Sequence, residues 1–212
     1  KERTMNRLTQ KLRSSTLNLA LYYLNRDPEK NIPKIIDRIL PFTHRDNIRN
    51  QLVMGKAIMQ DVNNPYRGLI LRVLQGIAPK VRRRFVSNFV FNSAILGQNK
   101  ALALKQKYNC NIRWVILMDP TSACNLQCKG CWAAEYDKTD SMDYALLDRI
   151  IREGKELGVY FYIYSGGEPT IRKKDLLKLA KVHKDCVFMA FTNGTLVDEA
   201  FAKALVDVGN FG

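Results

Sequence analysis

Three short and almost wholly apolar runs, RWVILM from Arg113, VYFYIYS from Val159 and CVFMAFT from Cys186, dominate the second half of the chain. Rich in β-branched and aromatic residues, they are strand-formers. A strand that is apolar throughout must be covered on both faces, as in a buried parallel sheet. The segments between them supply the cover. SMDYALLDRIIREGKELG sets Leu146, Leu147, Ile150, Ile151 and Leu157 on one side of a helix and ends at Gly158. IRKKDLLKLAKVH is a second helix. DEAFAKALVDVG is a third, with Phe201, Ala204, Leu205 and Val208 on its inner face. The order is βαβαβα, with helices over the outer face of a parallel sheet. A further strand is expected after GNFG at 209–212. Three βα units cannot close a barrel and would leave an apolar edge strand, so the expectation is a fragment, or units supplied from elsewhere.

The first half reads as helices only. Met5, Leu8, Leu12, Leu19 and Tyr22 recur at helical spacing, and Pro28 ends that helix. Pro33 opens a short helix through Leu40, and Thr43 caps one from about His44 to Val62. Another runs from Tyr66 to Gly76. PKVRRRFVSNFVFNSAIL from Pro79 is expected to stop at Gly97, with a last helix from Asn99 to Tyr108. The expected division is therefore 1–110, a basic helical region, and 111–212, the βα region.

Charge follows the same division. Residues 1–110 carry 21 Lys and Arg against 6 Asp and Glu, whereas residues 111–212 carry 13 against 14. Between Val62 and Cys110 there are nine basic residues and no acidic one. Such a face suits a polyanion, an anionic lipid surface before nucleic acid, or is simply solvated. Arg82, Arg83 and Arg84 at the head of a greasy helix suit the lipid surface. KERTMNRLTQKLRSS has no secretory pattern, and the longest uncharged stretch, Phe85 to Asn99, is too short and too polar to span a bilayer. The expectation is a cytoplasmic protein, with peripheral contact at the inner face of the membrane.

Chemistry is concentrated in ACNLQCKGCW, where Cys124, Cys128 and Cys131 are spaced C-x3-C-x2-C. Five cysteines, three of them clustered, make a poor disulfide framework. Cys128 and Cys131 alone could form a redox dithiol, but a third cysteine is then unexplained. A structural zinc normally takes four ligands, and Cys110 could fold back as the fourth. A cubane iron–sulfur cluster takes one ligand per iron, so three thiolates leave one iron open. Cys186 opens a buried strand and reads as a core thiol, and Cys110 as structural. His44 and His183 read as surface residues.

The thiol triplet, directly after the first strand, resembles the radical S-adenosylmethionine (SAM) superfamily. SGGEP, Ser165 to Pro169, follows the second strand and resembles that family's GGEP. FTNGT, Phe191 to Thr195, ends the third and resembles its TNG. All three fall at C-terminal strand ends, where βα folds build their sites. The resemblance covers about 111–212. It implies the first half of a parallel (βα)6 partial TIM-like barrel behind an all-helical region. It implies a [4Fe-4S] cluster on Cys124, Cys128 and Cys131, whose open iron chelates SAM. Gly166, Gly167 and Glu168 would meet the methionine end of SAM, and Thr192 and Asn193 would line its pocket. Where the family often has an aromatic residue beside adenine this chain has Gly130, which leaves Trp132 to cover that face or pack on the barrel. The implied reaction is reductive cleavage of SAM to a 5′-deoxyadenosyl radical that takes hydrogen from a substrate. The implied partner is a one-electron reductant of the flavodoxin or ferredoxin type. The combination of helical region and barrel resembles a group with lipid-acting members such as hopanoid-modifying enzymes, which suggests a lipid or isoprenoid substrate. Peptide or RNA substrates, and a zinc-stapled basic binding module without catalysis, are the alternatives.

Overall fold

The computed structural model describes residues 26–42, 46–133, 135 and 137–212. The helix expected around Met5 to Tyr22, the cap at Thr43 and His44 lie outside these residues. The chain forms two compact units, Lys1–Pro79 and Lys80–Gly212. Helices from Lys80 onward thus belong with the sheet, whereas composition draws its line at 110/111. No described helix is long and apolar enough to cross a membrane.

In the first unit, α1 (Pro28–Ile39), α2 (Asp46–Gln60) and α3 (Pro65–Gly76) pack around buried Ile36 and Met59. Asp27 caps α1 by accepting from the Lys30 amide, and Pro28 takes the first helical position. Pro33, expected to open this helix, therefore lies inside it. Asn64 caps α3 in the same way, through the Tyr66 amide.

The second unit opens with α4 (Pro79–Val86), runs through a π-helical segment (Ser87–Gly97) and continues as α5 (Gln98–Tyr108). Gly97 does not stop the helix. It is helical at φ −62°, and a Cβ on it would lie 2.2 Å from the Gly158 carbonyl oxygen. Its glycine serves a close backbone approach, not a terminus. Asn88 donates to the Lys184 and Cys186 carbonyls, both at 2.8 Å, and Asn92 donates to that of Asp185 at 2.9 Å. These bonds, with Arg84 donating to the Val208 carbonyl, fasten the helical segment to the residues that lead into the third strand and to the end of the last helix.

The sheet has the order β1 (Val115–Met118), β2 (Phe161–Tyr164), β3 (Val187–Ala190), all parallel. Its helices are α6 (Tyr144–Leu157), α7 (Lys173–Val182, entered through a 3-10 turn at Pro169–Arg172) and α8 (Glu199–Val208). Asp143 and Asp198 cap α6 and α8, and Gly158 and Gly209 close them in the left-handed conformation. One sheet face carries Met118, Tyr162, Tyr164 and Phe188 into a core with Leu147, Ile151, Leu176, Leu179 and Phe201. Fully buried side chains of this kind contribute about 1.5–3 kcal/mol each. The expected stripe of α6 is narrower than its sequence suggests: Leu147 and Ile151 are buried, but Leu146 and Leu157 are exposed. They lie at the flank of a helix that meets the sheet along one line. On the other face, Phe161 packs edge-on against Phe89, with ring centroids 5.6 Å apart, and beside Trp114 at 5.5 Å. One row higher on that face, Leu117, Ile163 and Met189 stand side by side, and Leu117 is exposed.

Residues 210–212 lie parallel to β3. The Phe188 amide donates to the Asn210 carbonyl at 2.8 Å and the Ala190 amide to that of Gly212 at 2.8 Å. The free side of β3 is thus occupied where a further strand was expected.

Candidate functional site

The three loops at the C-terminal ends of the strands lie together, and the bonds between them define the site. The thiol loop leaves β1 beside the Gly166–Gly167 turn. The Gly167 amide donates to the Thr121 carbonyl at 3.0 Å and the Glu168 amide to that of Ala123 at 2.8 Å. A Cβ on Gly167 would lie 2.2 Å from the Ala123 carbonyl oxygen. On Gly166, held at φ +99°, it would lie 2.6 Å from that of Thr121. The glycines are thus required by the backbone of 121–123, an approach no other residue permits.

Glu168, expected to meet the methionine end of SAM, is 1% exposed and turned inward. One carboxylate oxygen accepts from the Thr170 amide at 2.9 Å, the Thr170 hydroxyl at 2.5 Å and the Thr192 hydroxyl at 2.6 Å. The other accepts from the Asn193 amide at 2.7 Å. Burial alone pushes this carboxyl up, but these four bonds outweigh it and hold the group below its ordinary range. Glu168 therefore stays ionised and locks the loop after β2 to the loop after β3.

A third tie joins the turn after β3 to the thiol loop. The Asn125 side-chain amide donates to the Thr195 hydroxyl at 2.7 Å, which donates to Asn193 Oδ1 at 2.7 Å. The Asn193 side-chain amide donates back to Asn125 Oδ1 at 3.0 Å. Sequence reading missed Asn125 and Thr195. The only signal was position, immediately after Cys124 and after the TNG stretch. It also missed Arg172, which donates to the Met142 carbonyl at 2.6 Å and pairs with Asp175 at 2.7 Å. Arg172 thereby holds the far limb of the thiol loop, whose near limb is bonded across at Ser122 and Asp140.

All five cysteines are free thiols. Cys128 and Cys131 are exposed and Cys124 is half-buried. The Cys131 amide donates to the Cys128 carbonyl at 3.2 Å around Gly130, which sits at φ +77°. Trp132 is 64% exposed. Cys110 is exposed and Cys186 buried, with burial pushing the Cys186 thiol well up. His183, expected at the surface, is 2% exposed and lies 2.9 Å from Asp148 Oδ1. It closes the end of α7 against α6, which a surface reading of one polar residue after a helix could not reveal.

The donor set fits an iron–sulfur group with one iron left open: three free thiols in one loop. Among the described residues, no three His, Cys, Asp or Glu side chains are gathered so that they could hold a metal ion. Loading such a group therefore requires the thiols to converge. A ligand with donors also finds an unmet acceptor. Asp119 Oδ1, next to Gly166 at the end of β1, is buried without a partner among the described residues.

The family model of the radical SAM superfamily matches residues 118–211. An Fe-coproporphyrin III synthase from Methanosarcina barkeri is 36% identical over 103 residues, 45% of this chain and 25% of that protein. A tungsten-containing aldehyde ferredoxin oxidoreductase cofactor-modifying protein from Pyrococcus furiosus is 31% identical over 98 residues, 44% of this chain and 28% of that protein. A crystal structure of SuiB from Streptococcus suis bound to S-adenosylmethionine overlays with a TM-score of 0.45 at 19% identity, over 66% of this chain and 38% of that one. The chain thus spans about a quarter of the length of the curated relatives it matches.

Proposed function

Through residues 118–211 the chain belongs to the radical SAM superfamily, and from that premise we propose that it is the cluster-bearing part of a radical SAM enzyme. The observation that carries this reading is the joining of three loops, bearing the three free thiols, the Gly166–Gly167 turn and the Thr192–Asn193 turn, at one end of a parallel sheet. Cys124, Cys128 and Cys131 would hold a [4Fe-4S] cluster, and Gly166, Gly167, Glu168, Thr192, Asn193 and Trp132 would form the S-adenosylmethionine side of the site. When bound, these groups supply reductive cleavage of S-adenosylmethionine and hydrogen abstraction from a substrate.

The protein's part is positional. Cys124, Cys128 and Cys131 offer thiolates from a loop braced at both limbs. Glu168 fixes the loops after β2 and β3 and so sets the S-adenosylmethionine side of the site from within. Asp119 offers a buried acceptor oxygen to a donor such as an ammonium. Leu117, Ile163 and Met189 make an apolar floor that limits water at the site.

The whole activity is proposed for a longer (βα)6 assembly, with the catalytic part beginning at 111 and the helical region at 1–110 serving it. The reductant is a flavodoxin- or ferredoxin-type protein. One of the curated relatives reported above is an Fe-coproporphyrin III synthase and the other a cofactor-modifying protein, names that do not point to one substrate. A lipid or isoprenoid substrate at an anionic membrane rests on the basic N-terminal half and on the resemblance to lipid-acting members, and co-sedimentation with neutral and anionic vesicles tests it. Equal binding to both, or none to either, overturns it.

The decisive experiment is anaerobic reconstitution with iron and sulfide, then metal analysis and electron paramagnetic resonance with and without S-adenosylmethionine. About four irons per chain and a reduced signal that S-adenosylmethionine alters are expected. One zinc, no sulfide and no response would instead make the thiols a structural staple.

A further inference from the structure

We propose that Asn125 is a positioning residue for the thiol loop, holding the loop in register with the turn after β3 through a closed ring of side-chain hydrogen bonds. The inference rests on the reading of Cys124, Cys128 and Cys131 as cluster ligands and adds to it the group that places them.

The ring is complete in donors and acceptors. Asn125 Nδ2 donates to Thr195 Oγ1, Thr195 Oγ1 donates to Asn193 Oδ1, and Asn193 Nδ2 donates to Asn125 Oδ1. Each side chain both donates and accepts once within it, so each bond polarises the next. The Thr195 amide also donates to Asn193 Oδ1 at 3.0 Å, and the Gly194 amide to Thr192 Oγ1 at 3.0 Å, so the turn that receives Asn125 is itself set.

Location gives the ring its role. Asn125 follows Cys124, the half-buried thiol nearest the braced limb of the loop. Beyond it, among the described residues, nothing lies within 4 Å of a Cβ on Gly130, so the turn carrying Cys128 and Cys131 stands clear of them there. The Glu168 carboxylate anchors the other side of the Thr192–Asn193 turn. The ring therefore completes a circuit: thiol loop to Gly167–Glu168 by backbone, Glu168 to Asn193 by carboxylate, Asn193 and Thr195 back to the thiol loop by Asn125. Without Asn125 the circuit opens where the thiols must converge.

The test uses the full chain with Asn125→Ala, Thr195→Val, both together, and Thr195→Ser, which keeps the hydroxyl. Each is reconstituted anaerobically with iron and sulfide, challenged with an iron chelator, and examined by electron paramagnetic resonance with and without S-adenosylmethionine. Asn125→Ala and Thr195→Val are each expected to retain iron about fivefold less well, the factor that one net hydrogen bond is worth. Their reduced signals should broaden and respond less to S-adenosylmethionine. The double variant should be no worse than Asn125→Ala, because that change already removes both bonds between the thiol loop and the turn. Thr195→Ser should behave as wild type. Thermal midpoints should not move, since all three ring residues are exposed. Wild-type retention and signal in Asn125→Ala, or losses that add in the double variant, would overturn the inference alone. A wild-type chain that takes up no iron would overturn the cluster reading and this inference with it.

Discussion

Replacing Glu168 by Gln asks how much of the site one buried carboxylate holds. Gln loses least by placing its nitrogen where the Asn193 amide now donates. That removes one charge-assisted bond and leaves two N–H groups facing each other at a position 1% exposed. A hydrogen bond to a charged group contributes about 1.5–3 kcal/mol, and the three remaining bonds, from Thr170 and Thr192, weaken as the charge is lost. The expected destabilisation is about 3–4 kcal/mol, a large part of the 5–15 kcal/mol typical of a domain. Urea unfolding followed by circular dichroism should show a midpoint lower by about 1.5–2 M at a slope of about 2 kcal/mol/M. The pH dependence carries a second signature. Because the folded state holds the carboxyl below its ordinary 4.5, its contribution is present above that pH and lost as pH falls through the folded value. The gap between wild type and Glu168→Gln should therefore narrow below about pH 4.5. A midpoint shift under about 0.3 M that does not change with pH would refute the internal role of Glu168 and return the group to ligand contact.

Gly167→Ala forces a Cβ to 2.2 Å from the Ala123 carbonyl oxygen and should destabilise by about 2–3 kcal/mol in thermal melts; Gly130→Ala, strained only by its positive φ, should lose about 1–2 kcal/mol, and the reverse order would count against the packed loop pair. Alkylation with mapping of the modified cysteines should label exposed Cys110, Cys128 and Cys131 first and leave Cys186 unlabelled until unfolding, because burial keeps that thiol protonated; early labelling of Cys186 would contradict the core. Burial holds His183 below its ordinary 6.5 despite Asp148, so the unfolded chain takes the proton first and stability should fall as pH drops below about 6.5; His183→Gln should flatten that fall, and an unchanged slope would remove His183 as its source.

Much of the second unit was legible because its signals are local. Apolar runs of strand length, aspartate caps at Asp143 and Asp198, and glycines at Gly158 and Gly209 each specify an element from neighbours in sequence. The βα order then places the loops bearing the cysteines, SGGEP and FTNGT at one end of a parallel sheet, so which loops make up the candidate site was legible before any coordinate. What local pattern could not give was which groups face each other. A glycine looks the same whether it ends a helix or admits a carbonyl, and Gly97 and Gly167 both admit carbonyls. Polar side chains look the same whether they meet solvent, ligand or protein. Glu168, His183 and Asn125 each found a partner 24 to 70 residues away, or the reverse, at a separation no periodicity encodes. The sequence by itself determined the strands, the helices and the thiols, because those depend on near neighbours. Only the tertiary structure decided that the three motif loops bind one another, because hydrogen bonds between distant residues exist only once the sheet has brought their ends together.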